Sequence, residues 1–132
     1  MTAAYCIDSD VLIWHLRSGD RQKAVEEHLV NLATTGGISC STLSVAEVEQ
    51  GVRRGEEERT RAFLRSLEAH PVDRATAERA GEIVRELRAR GFTLGLADAL
   101  IAATCILRGL TLVTYNLADF EKIAGLAVAT VP

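Results

Sequence analysis

The sequence predicts a three-layer α/β/α sandwich around a central, mostly parallel sheet of four to five strands. Short apolar runs alternate with amphipathic stretches along the whole chain. The segments joining those runs are helix-length rather than tight hairpins, which implies parallel strands, right-handed crossovers and helices on both faces of the sheet. At 132 residues the chain has enough material for one core and too little for two, so a single domain over 1–132 is expected.

The first strand is expected over Ala3 to Ile7, ending at Asp8, and a helix over Val11 to Leu16. Asp20 or a neighbour caps a second helix carrying Val25, Leu29 and Leu32, which Gly36-Gly37 stops before the strand Ile38 to Cys40. Ser44 to Arg54 reads as helix. Gly55 breaks the pattern and Glu56 to Ala69 resumes it with Phe63, Leu64 and Leu67 on one face. Pro71 then forces an exit, and a third short strand is expected around Val72. Ala80, Ile83, Val84 and Leu87 recur at helical spacing from Ala75 to Arg90, with Gly91 as the stop. Leu96 to Leu107 has almost no polar face, the mark of a helix buried on most sides. Leu110 to Val113 and Leu126 to Val131 complete the sheet.

Composition narrows the class. Hydrophobic residues make up 48% and charged residues 25%, with two prolines, which argues for a folded globular chain rather than a disordered one. No apolar run approaches the roughly 18 residues that span a bilayer, and MTAAYCIDSD turns acidic where a secretory signal stays apolar. A cytoplasmic location is expected. Cys6, Cys40 and Cys105 are odd in number, lack C-x-x-C spacing and sit in small or apolar surroundings, so they read as buried hydrophobes. The formal charge of -3 removes any general electrostatic grip on nucleic acid, and such a grip has to be local.

Ligands of parallel α/β sheets bind beyond the carboxyl ends of the strands. There the sequence places Asp8, Ser9 and Asp10 after the first strand, Glu47 on the helix after the second, Asp98 early in the apolar helix, and Thr114, Tyr115, Asn116 and Asp119 after the fourth. Each acid also has a simple structural role. Asp10 resembles an N-cap and Asp8 a turn closer; Ser44 to Glu47 matches a capping box; Asp98 suits a helix dipole; Asp119 leads a short turn and Asn116 an Asx-turn. Their coincidence points further, because like charges in one cleft need a counter-charge. Carboxylates with an Asn amide suit hard, oxygen-seeking Mg²⁺ or Mn²⁺, whereas zinc recruits Cys and His, and His15, His28 and His70 show no ligand spacing.

The blocks CIDSDVLIWHL, SVAEVEQGVRRG, LGLADALIAATCILRG and LTLVTYNLADF together resemble the PIN-domain ribonucleases, in particular VapC-type toxins of type II toxin-antitoxin systems. They occur in that family's order and spacing over nearly the whole chain. The resemblance implies a metal-dependent endoribonuclease, silenced by a cognate antitoxin that supplies DNA binding, and a homodimer with no direct DNA contact of its own. The family's acids fall on Asp8, Glu47 and Asp98, with the fourth at Asn116 or Asp119, of which Asp119 is the stronger ionic candidate. Thr114 and Ser9 match its supporting hydroxyls. Asp10 departs from the more frequent Thr, Ser or Asn and adds a negative charge. In this reading one or two Mg²⁺ or Mn²⁺ ions activate water and stabilise the leaving oxygen, giving 5′-phosphate and 3′-hydroxyl ends.

RNA or antitoxin contact is expected from Arg53, Arg54, Arg59, Arg61 and Arg65, although Glu56, Glu57 and Glu58 among them also allow a solvated salt-bridge network. Trp14 and Tyr115 flank the acids and can stack on bases, with a core position favoured for Trp14. Two alternatives compete. Asp8-Ser-Asp10-Val is similar to the D-x-D-x-[TV] of haloacid-dehalogenase-like phosphatases, with Asp8 as nucleophile, but Lys23 and Lys122 are poorly placed and the paired later acids are missing. A PIN-like module that binds RNA or antitoxin without cutting is the other, disfavoured by the retention of every acid.

Overall fold

In the computed structural model, which describes residues 4–17 and 20–131, five strands form one all-parallel sheet. These are β1 (Tyr5–Ile7), β2 (Ile38–Ser41), β3 (Glu68–His70), β4 (Thr111–Thr114) and β5 (Ala127–Thr130), in the spatial order β3-β2-β1-β4-β5. The helices among the described residues are α1 (Ser9–Leu16), α2 (Asp20–Thr35), α3 (Thr42–Gln50), α4 (Glu57–Arg65), α5 (Arg74–Ala89), α6 (Leu96–Arg108) and α7 (Leu117–Phe120). Among them none is long and apolar enough to cross a membrane.

Strand side chains alternate between two helical layers, as the period of two requires. Cys6 and Leu112 pack with Ala80, Ile83 and Leu87 of α5 and the buried side of α6. Ile7, Cys40 and Val113 point the other way, into Val11, Leu12, Val25, Leu29, Val48 and Leu64 of α1 to α4. Both faces are covered, so the central strands read as nearly continuous apolar runs. The three cysteines are buried and free, as their surroundings suggest. Gly36 permits a close approach at the start of β1, since a Cβ there would lie 2.7 Å from that of Ala4. Gly109, at φ 65°, closes α6 in the left-handed conformation and turns the chain into β4.

The strand order fixes where ligands belong. Successive crossovers run from β1 outward through β2 to β3, then return to the other side of β1 to build β4 and β5. The reversal lies between β1 and β4, which pair in parallel from Tyr5↔Thr111 to Ile7↔Val113, so the topological switch point opens at Asp8 and Thr114.

Several boundaries differ from the sequence reading. The third strand is Glu68–His70 and not a segment around Val72. The helix before it ends at Arg65, where the Ser66 hydroxyl donates to the Phe63 carbonyl, and the freed chain pairs with β2 from Ser39↔Glu68 to Ser41↔His70. Pro71, which has no N–H, follows this strand rather than preceding it. Helix α3 starts earlier and stops earlier than Ser44 to Arg54, because Ser41 ends β2 and caps the helix with no intervening loop. The buried face of α6 spans Ala99 and Ile101 to Cys105, while its ends, Leu96 and Leu107, are exposed. The strand start expected at Ala3 lies outside the described residues, and the cap expected at Asp20 outside the described side chains.

Leu112 is fully buried on a central strand. Leu112→Ala is expected to lower the unfolding free energy by about 2 to 5 kcal/mol in urea denaturation, with an unchanged far-UV spectrum at low denaturant.

Candidate active site

Asp8 leaves β1 and becomes the N-cap of α1. Its Oδ1 accepts the Ser9 N–H at 2.8 Å, and its Oδ2 accepts the Thr114 hydroxyl at 2.7 Å across the switch point. The cap was expected of Asp10; Asp8 takes it because α1 begins at Ser9, two residues earlier than the apolar pattern suggests. Asp10 instead turns to β4, where its Oδ2 accepts the Tyr115 N–H at 3.2 Å. Thr114 Oγ1 in turn accepts the Asn116 N–H at 3.0 Å. The ends of β1 and β4 are thus tied together by the site's own side chains.

Glu47 reaches this rim from α3. Ser9 Oγ lies 2.7 Å from Glu47 Oε1, to which its single proton goes, and 3.0 Å from the buried Ser44 hydroxyl. The capping box read at Ser44 and Glu47 is therefore absent: Ser41 caps α3 through the Leu43 N–H, which leaves both side chains for the site. Sequence reasoning missed the part played by Ser44, whose only signal was the S-x-x-E spacing shared with a cap. Asp98 sits in the first turn of α6, half-buried, and Asp119 on α7 accepts the Asn116 side-chain amide at 2.9 Å.

Electrostatics connects these groups. Burial pushes the Asp8 carboxyl from 3.8 up to about 7; the negative charges of Asp10 and Asp98 add to it, and the Thr114 and Ser9 hydrogen bonds oppose it. Asp98 is raised by its burial and then by Glu47, Asp119 and Asp10. Every charge named as acting on either group is another acid. Asp8, Asp10, Glu47, Asp98 and Asp119 therefore share one field, although among the described residues no three His, Cys, Asp or Glu side chains close into a ready-made metal cage.

The five arginines singled out in the sequence are placed elsewhere. Arg59 donates to the Leu16 carbonyl at the far end of α1, roughly 12 Å along the helix from Asp8, and Arg61 pairs with Glu49 at 3.1 Å. Arg53, Arg54 and Arg65 are exposed. Trp14 is 37% exposed, so it lies at the surface rather than in the core position favoured for it.

Fold and site together define a class: a parallel α/β sandwich whose switch point is rimmed by carboxylates. The PIN domain family matches residues 5–126. The protein named Ribonuclease VapC10 from Mycobacterium tuberculosis is 37% identical over 114 residues, covering 86% of this chain and 84% of its own length. The tRNA(fMet)-specific endonuclease VapC of Shigella flexneri is 28% identical over 127 residues, covering 92% and 93%. The structure of DNA-bound VapBC from Salmonella typhimurium matches with a TM-score of 0.83 at 27% identity, over 99% of this chain and 100% of that one. The chain belongs to the PIN domain family, as a VapC-type member. That membership replaces the phosphatase alternative.

The raised Asp8 carboxyl sets a pH dependence. Between about 4 and about 7 the folded chain holds a proton that the unfolded chain has lost, so this group's contribution to stability is present at low pH and disappears as pH rises through 7. Asp8→Asn removes the buried charge while keeping a capping oxygen. In EDTA, thermal melts are expected to show the variant more stable than the parent at pH 8, on the order of 5 °C, and nearly equal to it at pH 4.

Proposed function

We propose that this chain is a Mg²⁺- or Mn²⁺-dependent endoribonuclease, the toxin of a toxin-antitoxin pair, with Asp8, Glu47, Asp98 and Asp119 as its catalytic acids. The observation that carries the reading is the mutual repulsion of these carboxylates at the switch point, in a chain akin to proteins named ribonucleases. Placing so many negative charges together is unfavourable for folding alone and is explained by a positive ligand.

The donor set fits a hard cation. It is all oxygen, and Mg²⁺ usually keeps several waters and is held by only one or two carboxylates, so a closed cage is not required. Asp8 and Asp98 would hold the ion most directly, with Glu47 and Asp119 completing the site. Bound there, the cation supplies Lewis-acid stabilisation of the phosphoryl oxygens and lowers the pKa of water. The remaining work belongs to the protein. Thr114 and the Ser9 amide fix the Asp8 carboxylate, the Ser9 hydroxyl aims Glu47, and the Asn116 amide holds Asp119. A rim carboxylate accepts the proton of the attacking water, the P–O3′ bond breaks, and the 3′ oxygen leaves to take up a proton.

The solved VapBC complex supports an antitoxin partner, through which DNA contact would come; a homodimer acting in the cytoplasm belongs to the same proposal. Arg53 and Arg59 lie at the end of α1 remote from Asp8, which suits contact with the antitoxin better than with the scissile RNA.

Asp8→Asn and Asp98→Asn are each expected to lower RNA cleavage at least 10³-fold with the fold intact, and EDTA to abolish it in the parent. Sequencing and chemical typing of the fragment ends is expected to give 5′-phosphates and 3′-hydroxyls. Undiminished cutting by both variants would overturn the assignment, and a parent that binds RNA without cutting would favour the non-catalytic module.

A further inference from the structure

An acidic cleft repels the polyanion it is proposed to cut, so a positive contact has to lie close beside it. The α5–α6 connection supplies one. Lys122 Nζ lies 4.6 Å from the ring centroid of Phe92, and the Arg90 guanidinium carbon 5.4 Å from the same ring. Arg90 also donates to the Lys122 carbonyl at 3.0 Å, which pins this connection to the chain after α7. Two like charges are thus held on one aromatic ring, and neither has a carboxylate partner among the described residues. The nearby Glu86 is committed to Arg79, at 3.6 Å.

The position is as telling as the charge. Lys122 lies three residues after Asp119 and two past the end of α7, and Phe92 lies four residues before the start of α6, whose first turn carries Asp98. The pair is thus carried by the two segments that adjoin the helices bearing the rim's outer carboxylates, one leading into α6 and one leaving α7. Beside it opens a hollow of about 390 Å³, floored by Ile83, Leu87, Ile123 and Ala124 and walled by Arg90, Lys122 and the Arg79-paired Glu86, within the size range of small-ligand sites. Phe92 is 36% exposed, and the two cations it holds both line the hollow.

We propose that Arg90 and Lys122, clamped on Phe92, seat a phosphate of the RNA strand just outside the acid rim, with the neighbouring nucleotide resting in the apolar hollow. The chemistry is that of single-strand recognition, in which cations track the backbone and apolar surface accepts the base. The seat deepens the ribonuclease reading and rests on it: it holds the strand while the acids act, and it takes no part in the bond breaking.

The test is the affinity of a labelled, mixed-sequence single-stranded RNA 20-mer for the Asp8→Asn protein, followed by fluorescence anisotropy from 50 to 200 mM salt. Adding Lys122→Gln or Arg90→Gln is expected to raise Kd about 5- to 10-fold at 50 mM and to flatten the log Kd against log salt slope by about 0.7 for each cation removed. Lys122→Arg, which keeps the charge, is expected to restore both. Unchanged Kd and slope in folded Gln variants, beside a parent that binds RNA, would overturn the seat and leave the ribonuclease reading standing. No RNA binding by the parent would overturn both. A Gln variant that weakens only the antitoxin complex would assign the pair to a protein partner and also overturn the seat.

Discussion

The bond from the Thr114 hydroxyl to Asp8 spans 106 residues of sequence and 2.7 Å of space. It joins the ends of two parallel strands whose helices leave in opposite directions around the sheet. Burial makes the Asp8 carboxylate costly to ionise, and Asp10 and Asp98 make it costlier; the Thr114 hydroxyl and the Ser9 amide are what hold it in a single orientation nonetheless. The rest of the rim is arranged around that constrained group. Ser9, one residue on, directs Glu47, and Asn116, two residues past Thr114, holds Asp119.

Economy of chain makes this rigid. Asp8 directly follows β1 and caps α1; Ser41 ends β2 and caps α3. With no loop between strand and helix, the groups that satisfy helix ends are the same groups that shape the site, or their immediate neighbours. Polar side chains that would normally face water are thereby buried, each with a named partner: Ser9 with Glu47 and Ser44, Thr114 with Asp8 and the Asn116 amide.

Much of this was legible in the residues. The apolar runs and helical spacing gave the layers and the parallel sheet, since burial on both faces imposes a pattern that local sequence carries. The acids could be nominated because they follow strands. Their partners could not. Ser44 and Glu47 spell a capping box whether or not one forms, and only the abrupt junction at Ser41 removes them from that duty. The third strand was displaced for a similar reason: Leu67 and His70 fit either a helix face or a short edge strand, and pairing with β2 decided between them. Interactions separated by tens of residues leave no local mark, and the bonds from Thr114 to Asp8 and from Ser9 to Glu47, like the contact of Lys122 with Phe92, are of that kind.

Asp8 and Asp10 grip β4 at two successive positions, one through the Thr114 side chain and one through the Tyr115 backbone. The seam between the β3-β2-β1 half of the sheet and the β4-β5 half is thus buttoned by the very carboxylates that line the rim. Whatever draws on those carboxylates therefore also draws on two of the hydrogen bonds that join the halves of the sheet.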